Sequence, residues 1–340
     1  MSQSLGELEI AGAELGAEGG LPEGSAGRDG TAIEGRSLGK IAWQTLRRDK
    51  AAMGAGVVLV LVILVAIFAP LICKALNISP TAFNSDLVSP DTSLPLGSFG
   101  GSTGAHPLGV EPINGRDILA RVLYGARTSL IIGVLATALS LLFGVTLGTL
   151  AGYYRKTTDL IISWVMDTLL SFPVLLFSIA LLAVFNAAPS FLGLSGSSLK
   201  FALIIFVLGF FGWPYIGRIV RGQVLSLREK EFVDAARSLG ATDGRIITRE
   251  ILPNLVGPIL VYTTLTIPNN ILGEAGLSYL GIGLNPPTSS WGQMLSVAGG
   301  YYQVDFWILL WPGLALFITV LAFNLFGDGL RDALDPRSTR

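Results

Sequence analysis

Six long apolar runs divide an otherwise polar chain, and their lengths predict a protein built across a membrane. The first covers 55–72, directly after Arg47, Arg48 and Lys50. Its 18 residues reach the roughly 17–25 that a helix needs to cross the hydrocarbon. The others fall at about 128–152, 160–185, 200–220, 254–273 and 306–326. Within the second, Ala136, Ser140, Gly144, Gly148 and Gly152 recur every fourth residue. Such a stripe of small side chains lets another helix backbone approach closely.

The polar stretches between the runs have patterns of their own. Residues 1–38 are rich in Gly, Ala, Ser and Glu and hold no aromatic residue, which predicts a disordered tail with no core to bury. Nothing there reads as a cleavable signal peptide. After a Pro-, Ser- and Gly-rich stretch, Ile118, Leu119, Val122, Leu123 and Ala126 recur at helical spacing. This predicts an amphipathic helix lying at the interface and leading into the second span. The segments are therefore 1–38 (tail), 39–127 (first span, long connection and interfacial helix) and 128–340, a five-helix core.

The connection at about 221–252 is the most informative. Phe232, Ala235, Ala236 and Leu239 fall at i, i+3, i+4 and i+7, one apolar face of a short helix. Gly240 stands where a helix ends on a left-handed residue. Thr242 or Asp243 is placed to cap a second helix, and Pro253 to open the next span. An apolar face rimmed by charge marks a protein contact, and its central alanines leave room for a partner to come close.

Composition agrees. The chain is 51% hydrophobic and 14% charged, with mean hydropathy +0.62, against about 25% charged in soluble domains. A net charge of −1 offers no footprint for nucleic acid. One cysteine, Cys73, and one histidine, His106, leave no disulfide framework or histidine-rich metal site; His106 is expected to be solvated. The basic residues are asymmetric. With the N-terminus inside, six precede the first span, two are Arg155 and Lys156, seven lie between 218 and 249, and three follow the last span, or 18 of 23 on inner segments. Lys and Arg stay on the cytoplasmic side, so both termini are expected there.

At this point the residues resemble a known family. Glu231, Phe232, Val233, Asp234, Ala235, Ala236, Arg237, Ser238, Leu239 and Gly240, followed by Ile251, Leu252 and Pro253, resemble the cytoplasmic "EAA" loop of bacterial ABC importer permeases, with Asp234 replacing the leading Glu. Gly115, Arg116 and Asp117; Tyr124, Gly125, Ala126 and Arg127; Pro286, Pro287 and Thr288 with Ser290, Trp291 and Gly292; and Phe323, Asn324 and Leu325 through Gly327, Asp328, Gly329, Leu330, Arg331 and Asp332 narrow it to the dipeptide/oligopeptide/nickel importers, as the second permease of the pair. One stretch departs: after His106, Pro107, Leu108 and Gly109 come Val110 and Glu111, where the family has Thr-Asp.

The resemblance implies an all-α integral membrane protein, six transmembrane helices in the type I ABC importer permease fold, in a bacterial inner membrane. It implies a homologous second permease, two ABC ATPase subunits and an extracytoplasmic substrate-binding protein as partners, with lipid around the spans. ATP and magnesium would belong to the ATPases. Gly35, Arg36, Ser37, Leu38, Gly39 and Lys40 are the nearest approach to a phosphate loop, one residue short and without its Ser/Thr. Glu231, Phe232, Asp234, Ala235, Ala236, Arg237, Leu239 and Gly240 would couple the spans to ATP hydrolysis, and the cargo would be peptides or related small solutes. No catalytic or metal-binding residue is expected.

Within the spans, Asp167 is costly in hydrocarbon and should face a cavity or a partner, in a gate or in a structural hydrogen bond. Pro268, Asn269, Asn270 and Glu274 form a polar cluster near the outer end of the fifth span, a candidate for the passage or its outer gate. A stand-alone secondary transporter would need charged coupling sites in several spans. An intramembrane enzyme would need a nucleophile and a base there.

Overall fold

The computed structural model describes residues 38–186, 190–191 and 193–334; the expected tail lies outside them except for Leu38. Among the described residues the regular structure is helical. Helix α1 (Leu38–Leu46) lies against the start of α2 (Lys50–Ala75) and the end of the last helix, with Ala42 and Leu46 buried on Ala52 and Ala333. Asp49 caps α2, its Oδ1 accepting from the Ala51 and Ala52 N–H groups at 2.9 and 3.1 Å. Helix α2 is apolar all round. Val57, Val60, Leu61, Ile67 and Leu71 are exposed on it, the reverse of a soluble helix and the surface that lipid covers.

The 76–117 connection is irregular apart from one short turn at Ser85–Leu87. It then enters α3 (Ile118–Tyr154), 37 residues long. At 1.5 Å per residue α3 spans about 55 Å, well beyond a hydrocarbon core of about 30 Å. The interfacial helix expected before the second span is thus not a separate element. It is the first part of α3, and Ile118, Ala120, Arg121 and Ala126 are buried in it because the connection and later helices pack round that end.

The third expected span is likewise not one straight helix. It consists of α4 (Lys156–Ser171) and α5 (Val174–Asn186), bent by 79° at the break. Pro173 disfavours helical backbone in the residue before it, and Phe172 is extended (ψ 134°). Neither half alone has the ~20 residues that crossing requires. The remaining helices are α6 (Gly196–Leu227), α7 (Glu231–Ser238), α8 (Asp243–Arg245), α9 (Leu252–Tyr279), α10 (Trp291–Ala298) and α11 (Trp307–Leu334). By length and composition five of the described helices could cross a membrane, or six counting the bent pair as one span. That matches the six apolar runs.

The small-residue stripe of α3 packs on α6. A Cβ added to Gly144 would stand 2.8 Å from the Ile216 Cβ, one on Gly148 2.5 Å from the Gly217 carbonyl oxygen, and one on Gly152 2.8 Å from the Val224 Cβ. Ser140 donates to the Gly209 carbonyl at 2.8 Å. Both Trp213 and Trp291 are buried, and the Trp291 ring N–H donates to Val122 O at 3.1 Å, so both serve packing. Cys73 is buried.

Just before α11, Asp305 accepts from the Trp307 N–H through Oδ1 at 3.1 Å, while its buried Oδ2 has no side-chain or backbone hydrogen bond of good geometry among the described residues. Burial pushes this carboxyl above its ordinary value of 3.8.

Candidate functional site

The elbow formed by α7 is built from both sides of its short helix. Val233 is fully buried and Ala236 half-buried, in a cluster with Tyr153, Val224, Ile246 and Ile251. Phe232, Ala235 and Leu239, the rest of the expected apolar face, point away from the protein, Leu239 being 88% exposed. Two apolar stripes therefore adjoin on α7: one anchors it, the other is bare. Beside the bare stripe a groove of about 410 Å³ is lined by Ala236, Leu239, Gly240, Ala241, Arg245 and Glu250, among others.

The end of α7 is a Schellman motif. Gly240 has φ +80°, its N–H donates to Arg237 O, and the Ala241 N–H reaches back to Ala236 O, both at 3.0 Å. The second short helix expected here does not stand apart. Residues Asp243–Tyr279 run as one 37-residue helical stretch that includes a π-helical turn at Ile246–Ile251. Leu252 and Pro253 follow this turn, and single π turns of this kind occur as bulges inside α-helices, often at functional sites. Thr242 precedes this stretch without a side-chain cap bond.

Tyr153, near the end of α3, ties both ends of the elbow to the bundle. Its hydroxyl donates to Asp243 Oδ1 at 2.7 Å on one side. On the other, its carbonyl accepts from Arg228, whose guanidinium lies 5.8 Å from the Tyr153 ring centre. Arg155 pairs with Glu229 at 2.7 Å, Asp234 pairs with Arg237 at 3.1 Å along α7, and Glu231 is exposed. The sequence pattern missed Tyr153, Arg228, Val233 and Asp243 as a unit, because their contacts join segments 75 to 90 residues apart.

Asp167 Oδ1 lies 2.6 Å from Arg218 Nη2, with both side chains exposed (68% and 55%). Arg221 binds Asp159 through two nitrogens at 2.5 and 2.7 Å, so two ion pairs hold α4 to α6. Neither side chain is packed within the chain, and a pair that faces a water-filled passage is worth about 1 kcal/mol or less. Asp167→Asn is therefore expected to leave thermal stability nearly unchanged, measured by unfolding of the purified protein; a large loss would show that the carboxylate is needed for packing.

Pro268, Asn269, Asn270 and Glu274 do not form one group. Successive helix residues diverge by about 100°, so Asn269 is exposed and bonds its own Leu265 carbonyl at 2.9 Å. Asn270 and Glu274, four apart, face α3. Asn270 donates to Thr137 Oγ1 at 2.9 Å. Glu274 is fully buried and accepts from Ser129, Ser278 and Ser290 at 3.0, 2.7 and 2.7 Å. Ser290 also caps α10, accepting from the Gln293 N–H at 3.1 Å, and the Gln293 side chain accepts from Arg121. Glu111, in the departing loop, accepts from Arg116 at 2.6 Å and lies 3.8 Å from Arg121. His106 is not simply solvated. Its Nδ1 sits 2.7 Å from Asp117 Oδ2, and the other Asp117 oxygen caps α3.

Known proteins share this architecture. The family model described as "Binding-protein-dependent transport system inner membrane component" matches residues 144–340, and that of the "N-terminal TM domain of oligopeptide transport permease C" matches 37–89. The dipeptide transport system permease protein DppC of Alkalihalophilus pseudofirmus is 40% identical over 87% of this chain and 89% of its own. The glutathione transport system permease protein GsiD of Escherichia coli is 41% identical over 87% and 89%. The oligopeptide transport system permease protein OppC of Haemophilus influenzae is 35% identical over 90% of each. Among solved structures, the inward-facing MetNI methionine ABC transporter aligns with TM-score 0.51 and 18% identity, over 64% of this chain and 98% of that one, a likeness of fold. The chain belongs to the inner membrane components of binding-protein-dependent transport systems and is a multi-pass permease subunit of a bacterial ABC importer, in which a separate subunit hydrolyses ATP.

Proposed function

We propose that this permease forms half of a translocation pathway for peptides or related small solutes, beside a homologous second permease, and that α7 receives the force of two ABC ATPase subunits. The carrying observation is the bare apolar stripe of α7, with Leu239 88% exposed on a helix whose other stripe is buried. An exposed apolar patch calls for a partner. Glu231, Asp234 and Arg237 rim it and orient the docking. The Tyr153 clamp makes the elbow and α3 move together, so displacement of α7 becomes rigid-body motion of the spans. ATP and magnesium belong to the ATPases, and an extracytoplasmic binding protein delivers the cargo at the opposite end. The basic-residue bias supports this orientation, with both termini in the cytoplasm. The peptide cargo rests on the dipeptide, oligopeptide and glutathione permeases named above.

Leu239→Asp tests this directly, because the residue makes little contact within the chain. In proteoliposomes of the assembled importer, uptake of a dipeptide is expected to fall at least tenfold, with unfolding temperature unchanged. Unchanged uptake would refute a docking role for this stripe, and failure of the unmutated importer to take up a dipeptide, an oligopeptide or glutathione would refute the cargo.

A further inference from the structure

A cation at the outer edge of the second apolar run lacks a counter-charge among the described residues. Arg127, in α3, is exposed and takes part in no ion pair or hydrogen bond among the described residues. It stands at one end of a groove of about 480 Å³ between α2, α3 and α11 whose other walls are hydrocarbon. Ile131, Val134 and Leu135 follow Arg127 at i+4, i+7 and i+8, one helix face running about 12 Å toward the middle of the bilayer. Ile63 and Ile67 of α2 face them across the groove, and all five are well exposed.

An arginine in a span needs a partner or a route to the headgroups. A guanidinium matches the oxygens of a phosphate by paired hydrogen bonds. A phosphate above a hydrocarbon cleft is the chemistry of a phospholipid. We propose that this groove is a specific phospholipid site, with the phosphodiester on Arg127 and an acyl chain along Ile131, Val134 and Leu135 against Ile63 and Ile67. The lipid belongs to the leaflet nearer the 76–117 connection. By tying α2 to α3 it holds the first span on the bundle. The proposal depends only on the spans lying in a membrane, not on the docking role of α7.

The test is native mass spectrometry of the full chain, purified in detergent with the subunits that accompany it, delipidated and titrated with dioleoylphosphatidylglycerol or with dioleoylglycerol, which has the same chains and no phosphate. The wild type is expected to bind the phosphatidylglycerol at least fivefold more tightly than the diacylglycerol. Arg127→Gln should lose that preference, and Val134→Trp, which fills the groove, should weaken binding of the phosphatidylglycerol at least fivefold. Equal binding of the two lipids by the wild type, or an undiminished preference in Arg127→Gln, would overturn the site. A second measurement needs no variant: phosphatidylglycerol with a photoreactive acyl chain should label the wild type within 63–67 or 127–135. Labelling elsewhere only would refute the assignment, including the case in which another protein covers the groove.

Discussion

Replacing Gly148 with valine is expected to abolish stable packing of α3 on α6. A Cβ there would lie 2.5 Å from the Gly217 carbonyl oxygen and 3.1 Å from the Gly217 Cα, so backbone must give way, not the tip of a flexible side chain. Gly217 has no slack, since its own Cβ would meet Met166 and Trp213 at 3.1 and 3.2 Å. Overpacking a tight site costs roughly 1–3 kcal/mol and more when backbone must shift. At matched expression, size-exclusion chromatography of detergent extracts should show Gly148→Val largely lost to aggregates. Gly222→Ala, in α6 with open space round its Cβ, should run as wild type. A monodisperse Gly148→Val protein of normal thermal stability would contradict close α3–α6 approach.

Glu274→Ala has the second large effect. Its carboxylate gathers three relays: the N–H groups of Leu284, Gln293 and Trp291 donate to the hydroxyls of Ser278, Ser290 and Ser129, which donate to Glu274. Truncation orphans three buried hydroxyls, each worth about 1–3 kcal/mol, and leaves a cavity. Because these losses are not additive, about 4 kcal/mol is a fair sum, or roughly 10 °C in melting temperature. Glu274→Gln keeps an acceptor for Ser278 and Ser290 and should lose far less. Thermal unfolding of the two variants in one detergent checks the order, and equal losses would remove the hub role.

Much of this architecture was legible because hydrocarbon imposes long, unmistakable signals. The six apolar runs mark the spans and the four-residue stripe marks the α3 face buried on α6, whereas the break at Pro173 was hidden inside the third run. The elbow was visible through Gly240 and the spacing of Phe232, Ala235 and Leu239. What was hidden depends on residues far apart in the chain. Ser129 meets Glu274 across 145 positions and Arg121 meets Gln293 across 172, and no local pattern announces either pair. Val233 was missed because it adjoins the predicted face one residue along, and only the packed bundle decides which stripe turns inward. Asn269 and Glu274 were grouped by nearness in sequence, whereas helical rotation separates them.

On the proposed function, α7 offers its bare stripe to a nucleotide-hydrolysing neighbour. Ala235 lies exposed on that stripe, and the chain's only cysteine, Cys73, can be removed as Cys73→Ala. Ala235→Cys on that background, carrying a short photoreactive group, is the most direct probe in the assembled importer. An adduct with the ATPase subunit whose yield changes when ATP is added is the expected result. An adduct confined to lipid or to an extracytoplasmic protein, with the ATPase unlabelled, would contradict the account.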